Sequence, residues 1–266
     1  MLPKLIDLGG WFLPTYGVLV AIAFLVAIWL TGKLAVRAGL DGEKITNLAV
    51  YCAISGMLGA KLFMFLFDWQ EYLSNPAQIF SLETLQAAGV YQGGLIVALI
   101  TAYVYMRKTG LPVLASADIF APGLALGHGL GRLGCLAAGC CWGTECHLPW
   151  AITFTREDAH QLTGVPLNVP LHPTQLYESI CELFVFLFLW RYINQTHRSG
   201  TVIGWYLVLY SVLRFLIEFL RNHEQSLIAG LSLTQWISMA TLFVGAWLLM
   251  RPATASATHQ QQPKIA

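Results

Sequence analysis

The chain has 266 residues, 56% of them hydrophobic and 11% charged, against about 25% charged residues in an ordinary soluble domain. That composition excludes a soluble body. With 15 Lys and Arg against 14 Asp and Glu the net charge is +1, so the basic field that nucleic-acid binding needs is missing. Six cysteines in a chain of this length do not make a small disulfide scaffold.

Lys4 and Asp7 precede a long apolar segment without a small-residue cleavage site, so no removable signal peptide is expected. A hydrocarbon core of roughly 30 Å takes about 20 apolar residues of helix. Seven such stretches are predicted, over 16–36, 46–67, 88–106, 113–136, 174–192, 202–221 and 231–250. The expected fold class is therefore an all-α integral membrane protein with seven transmembrane helices. Lys33, Arg37, Lys44, Arg107, Lys108, Arg191, Arg198, Arg251 and Lys264 fall on one side of it, whereas Lys4, Arg156 and Arg221 fall on the other. By the positive-inside rule the N-terminus is outside and the C-terminus cytoplasmic, the parity that seven spans require. Residues 1–251 read as one membrane domain with outer-face segments at 68–87 and 137–173. The tail over 252–266, rich in Ala, Thr and Gln, is expected to be a disordered cytoplasmic extension.

Ionisable residues inside membrane spans are costly and mark sites. On this topology they converge in the outer half: Lys61 in the second span, His128 and Arg132 in the fourth, and Arg214, Glu218 and Arg221 on one face of the sixth. Tyr16 opens the first span, Tyr91-Gln92-Gly93-Gly94 the third, and His172-Pro173 the fifth, with Gln175, Tyr177 and Glu178 in its first turns. Arg132 and Arg214 at similar depth repel unless an anion lies between them or Glu178 and Glu218 neutralise them. A guanidinium fork suits a phosphate, and the expected ligand is a phospholipid headgroup reached from the outer leaflet. Gly123, Gly127, Gly129, Gly131 and Gly134 around Arg132 allow close helix approach or a helix interrupted beside a ligand.

The blocks Gly131-Arg132-Leu133-Gly134, Gly139-Cys140-Cys141-Trp142-Gly143, His172 to Glu178, and Tyr210 to Arg221 with Arg214 and Glu218 resemble the bacterial prolipoprotein diacylglyceryl transferases. Tyr16-Gly17, Gly59-Ala60-Lys61-Leu62 and Gly93-Gly94-Leu95-Ile96 extend the resemblance in the same order over nearly the whole chain. It implies an inner-membrane enzyme that moves the diacylglyceryl group of phosphatidylglycerol to the lipobox cysteine of a prolipoprotein, forming a thioether and releasing glycerol phosphate. Arg132 and Arg214 would hold the phosphate, Tyr210 and Tyr16 would shape the headgroup site, and Glu218 and Arg221 would support them. The block from His172 to Glu178 would order the outer wall. A thiol must become a thiolate to attack carbon, and a positive pocket favours that.

Two departures stand out. Many members carry a proposed base, His, where this chain has Gln92, which cannot take a proton; either that role is not needed, or His128 or His172 supplies it. Cys135 and Cys140 stand where many carry Asn and Glu, inside the series Cys135, Cys140, Cys141 and Cys146 at intervals of four, zero and four residues. These lack the paired spacing of structural zinc sites, so no metal and no cofactor is expected, while a disulfide and simple packing both stay open. The expected partners are phosphatidylglycerol, a lipobox peptide and membrane lipids, with the protein a monomer. The competing functions are a lipid transferase with another acceptor, a membrane thiol-redox protein built on the outer cysteines, and a lipid binder without chemistry.

Overall fold

The computed structural model describes residues 2–7, 12–81, 84, 89–222 and 227–252. All seven predicted apolar stretches are helices: α1 (Thr15–Arg37), α2 (Gly42–Phe67), α4 (Tyr91–Thr109), α5 (Val113–Ala138), α7 (Thr174–Tyr192), α8 (Thr201–Glu218) and α9 (Leu233–Met250). Two shorter helices, α3 (Trp69–Ser74) and α6 (Glu157–Thr163), lie in the connections predicted for the outer face. Residues 82–83 and 85–88 of the first connection, and the predicted tail beyond Pro252, fall outside the described residues.

Five helices, α1, α2, α5, α8 and α9, are long and apolar enough to cross a membrane. Helices α4 and α7 have 19 residues each, about 28 Å of helix, so length does not separate them from the rest. Composition does: α4 ends on Arg107 and Lys108, and α7 carries Gln175, Glu178, Glu182 and Arg191.

The chain divides into two compact units. The first, over 32–116, is built on α2 and α4, which meet at glycines. A Cβ added at Gly59 would lie 2.6 Å from Val97, and one at Gly94 would lie 2.8 Å from the Gly56 carbonyl. Small residues let backbones approach where lipid supplies no hydrophobic drive.

The second unit comprises 1–31 and 117–266. Here the start of α1 packs on α5, with a Cβ at Gly127 meeting Ala27 at 3.1 Å and one at Gly134 meeting Leu19 and Tyr16 at 3.4 Å. Helices α8 and α9 cross at Gly204 and Gly245, where an added Cβ would lie 3.0 Å from the opposite carbonyl or side chain. The helix ends are tied. Buried Asp118 of α5 accepts from the Gly200 and Ile203 amides at 2.6 and 2.8 Å, satisfying the N-terminus of α8. Arg198 donates to the Leu248 and Leu249 carbonyls at the end of α9.

All-α is incomplete as a description, because two short strand pairs are present. β1 (Lys4–Asp7) pairs antiparallel with β2 (Phe12–Pro14), and β3 (Ile152–Thr153) with β4 (Pro170–Leu171). Strands of two to four residues leave no readable alternation. The second strand pair belongs to a folded segment with its own core of Phe154, Ala159, Val165 and Leu171, packed against Trp142, Ile152 and Val169. On its surface, Arg156 donates to Asp158 and holds that carboxyl below the usual carboxylate range.

Asp118→Ala leaves two buried amides without an acceptor, a loss of about 1–3 kcal/mol for each such group. The variant is expected to melt at a clearly lower temperature in detergent, and an unchanged melting temperature would contradict this account of the α8 terminus.

Candidate functional site

The site begins with a glycine. A Cβ added at Gly129 would lie 3.2 Å from the Ser179 carbonyl and 3.3 Å from Glu182 Cβ, and Ser179 Oγ donates to the Gly129 carbonyl at 2.8 Å. Helix α7 therefore rests directly on α5. Its acids Glu178 and Glu182, one turn apart, land beside His128 and Arg132, which are also one turn apart.

The Glu178 carboxylate joins both arginines. Arg132 Nε pairs with Glu178 Oε2, while Arg214 Nη1 lies 3.7 Å from Glu178 Oε1 and 2.6 Å from Glu218 Oε2. Of the two possibilities left open above, the structure has neutralisation by glutamates. Side-chain exposures of 5% for Glu178, 14% for Arg132 and 10% for Arg214 mean that solvent screens these charges little. Ser232, the N-cap of α9 in a capping box with Gln235, donates to Glu218 Oε1 at 2.9 Å. One hydroxyl thus fixes a helix start and the second glutamate.

His128 stands between two carboxylates, with Nδ1 3.3 Å from Glu182 Oε1 and Nε2 3.8 Å from Glu178 Oε2. Arg132 Nε donates to His128 Nε2 at 3.3 Å. This pattern assigns the ring proton to Nδ1, facing Glu182, and leaves Nε2 as the acceptor. The Tyr210 ring lies 5.5 Å from the His128 ring. His128, Glu178, Glu182, Tyr210 and Arg214, with Cys181, Leu213 and Ile217, line a narrow gap with room for about one water.

The remaining expected residues divide into three groups. His172, Gly143 and Arg221 build a wall by backbone. Gly143 N donates to the His172 carbonyl and His172 N to the Thr144 carbonyl, both at 3.0 Å, and Gly143 bridges to Arg221. A Cβ at Gly143 would lie 2.6 Å from both His172 Cβ and the Leu220 carbonyl, so only glycine fits. The His172 ring faces Tyr177, whose hydroxyl is 3.3 Å away and accepts from Trp150 Nε1 at 2.8 Å. Arg221 Nε is buried with no hydrogen-bond acceptor among the described residues.

Gln175, expected as a headgroup contact, is 1% exposed, and its amide donates to the Cys140 carbonyl at 2.6 Å. Thr174 beside it donates to the Cys141 carbonyl at 2.7 Å. These two bonds hold a tight turn in which Gly139 and Cys141 both have positive φ, 79° and 60°. For a non-glycine residue that backbone costs about 1–2 kcal/mol. The turn brings the Cys135, Cys140 and Cys141 sulfurs within 4.8 Å of one another, an arrangement the sequence intervals did not suggest. Hydrogen bonds from Cys135 and Cys140 hold the Cys141 thiol far below its usual range, with Arg221 and Arg132 adding to the effect. Cys146 is buried apart from this group.

Lys61, Gln92, Gly93 and Gly94 belong to the unit over 32–116. There Lys61 donates to the Thr84 carbonyl, Gly93 abuts Phe63, and Gln92 is exposed in the first turn of α4. Tyr16 is partly exposed at the start of α1, with its backbone against Gly134. Gly131 has nothing within 4 Å of where a Cβ would stand, so packing does not explain it.

The model for prolipoprotein diacylglyceryl transferases matches residues 3–251. The chain belongs to the prolipoprotein diacylglyceryl transferase family. Relatives named phosphatidylglycerol–prolipoprotein diacylglyceryl transferase include one from Clostridium tetani, 34% identical over 93% of this chain and 96% of its own length. Another, from Methylobacillus flagellatus, is 31% identical over 93% and 95%. A Clostridium perfringens relative, whose name carries the suffix 2, is 33% identical over 91% and 92%.

In this family member three contributors escaped sequence reasoning. Glu182 and Asp118 carried an available signal, each an acid inside a predicted apolar stretch. Ser232 carried the Ser-x-x-Gln pattern of a helix start with Gln235, but nothing in the pattern pointed to Glu218.

Glu178→Ala strips a buried carboxylate from two arginines, and breaking such a buried pair costs about 3–5 kcal/mol. The variant is expected to unfold at markedly lower temperature than Glu145→Ala, which removes an exposed acid.

Proposed function

We propose that the chain transfers the diacylglyceryl group of phosphatidylglycerol to the lipobox cysteine of a prolipoprotein. The thiolate attacks the glycerol carbon, a carbon–sulfur bond forms, the carbon–oxygen bond to phosphate breaks, and glycerol phosphate leaves. The observation that carries this is the pair of arginines held on one carboxylate, Glu178, with an oriented histidine beside them. Arg132 engages Glu178 and His128 through Nε, and Arg214 engages both glutamates through Nη1. In this reading the remaining guanidinium donors of Arg132 and Arg214 turn to the phosphodiester when the lipid binds. Charge grows on the phosphate as the carbon–oxygen bond breaks. Donors already fixed in a poorly solvated place stabilise that charge without reorganising.

The acceptor thiol must also lose its proton. His128 is assigned this role: Glu182 fixes the Nδ1 proton, and Nε2, which accepts from Arg132 Nε at rest, takes the thiol proton once Arg132 turns to the phosphate. Tyr210 borders the same gap as His128, while His172 and Tyr177 order the wall beside it.

In this reading residues 1–251 form the enzyme domain in the bacterial inner membrane. Helices α4 and α7 complete seven spans with the N-terminus outside, the site opens to the outer leaflet, the tail is cytoplasmic, and the enzyme works as a monomer. The mixed character of α7 supports its placement inside a bundle, where its acids meet cations and not lipid.

The purified protein is to be reconstituted with phosphatidylglycerol and a single-cysteine lipobox peptide, and the diacylglyceryl adduct followed by mass spectrometry. Arg132→Ala and Arg214→Ala are expected to lower the rate at least about 100-fold, the scale of losing one preorganised donor. His128→Asn is expected to lower it by about 100-fold or more. Lipid binding by the folded protein without any adduct would overturn the assignment in favour of another acceptor or of lipid binding alone.

A further inference from the structure

Three sulfurs within 4.8 Å of one another are a donor set. Tetrahedral zinc at about 2.3 Å from each thiolate separates them by about 3.8 Å, so a contraction of about 1 Å would seat the ion. The scaffold is already fixed. The Gly139 and Cys140 amides both donate to the Cys135 carbonyl at 3.0 Å. The carbonyls of Cys140 and Cys141 are held by Gln175 and Thr174, which are 1% and 0% exposed. Cysteines that served only as small apolar filler would not require Cys141 at a φ of 60°.

The position is as telling as the geometry. Arg132 Nη1 lies 4.0 Å from Cys135 Sγ, and His128, Arg132 and Cys135 follow one another at spacings of four and three on α5, so they share a face. The thiol cluster therefore adjoins the arginine proposed to hold the phosphate. A cation with three thiolates carries net negative charge, which Arg132 balances.

We propose that Cys135, Cys140 and Cys141 bind Zn²⁺ through three thiolates and that its fourth position receives the acceptor cysteine. The second half rests on the transferase reading. Three protein ligands and one open position is the arrangement of reactive zinc centres, and a coordinated thiol loses its proton. Binding of the acceptor forms one zinc–sulfur bond, displaces water, and sends the thiol proton through water to His128 with no change in oxidation state. Attack on the glycerol carbon then converts the thiolate to a neutral thioether, a weak ligand that leaves.

The test uses the full chain, purified under reductant and dialysed against Zn²⁺, with metal counted by mass spectrometry. One zinc per chain is expected in the parent protein and in Cys146→Ser. At least a tenfold weaker affinity is expected in Cys135→Ser, Cys140→Ser and Cys141→Ser. Zinc should also shield three thiols of the parent protein from alkylation, a readout that needs no variant. Binding below half an equivalent, equal binding in the three variants, or a disulfide among these cysteines in the metal-loaded protein would overturn the site. In the Co²⁺ form, a lipobox peptide with Cys is expected to strengthen the thiolate charge-transfer band and its Ser counterpart to leave it unchanged. Identical spectra with both peptides would overturn the role of the fourth position. Zinc bound as expected alongside absent adduct formation would instead overturn the transferase reading and leave the metal site standing.

Discussion

A carboxylate shared by two guanidiniums, in a place that water barely reaches, sets the conditions for everything around it. Glu178 has to be within ion-pair distance of Arg132 and Arg214 at once, which fixes three helices in rotation and height. Gly129 supplies the closeness between α5 and α7, and Ser232 holds the companion acid Glu218 from the start of α9. Replacing such a cluster by apolar side chains often stabilises a protein. Its retention is explained by what it orients and not by what it adds to stability.

The same cluster shows how charge and position are divided. Arg132 and Arg214 are neutralised in pairs, yet their donors are not exhausted. In the proposed reading a ligand anion would meet cations whose desolvation the glutamates already offset, so few groups would need to move on its arrival. His128 follows the same logic, with one carboxylate fixing its tautomer and an arginine marking the other ring nitrogen.

Much of this was legible one element at a time. The apolar stretches at 174–192 and 113–136 reappear as α7 over the same residues and α5 ending two residues later. Arg214 and Glu218, four apart, do form an ion pair within α8. What failed to appear was everything that depends on how two elements face each other. Gln175 read as a ligand contact because polar residues near a span's outer end often are; its actual partner, the Cys140 carbonyl, is 35 positions away. The cysteine intervals resembled no metal motif because linear spacing does not register a left-handed turn that folds Cys141 back toward Cys135. The β1–β2 hairpin is too short for period-two alternation to show.

The wall around Gly143 is joined to its neighbours by main-chain groups: Gly143 to His172, Thr144 to Leu220, His172 to Thr144, and Asn222 to Trp142. Peptide groups are the same at every position of every chain, so this seam carries almost no sequence information. Its side chains are free to be exchanged for new surface chemistry while the seam stays closed, except at Gly143, where a single methyl has no room. The wall can thus change what it shows to its surroundings without loosening the main-chain joints that carry it.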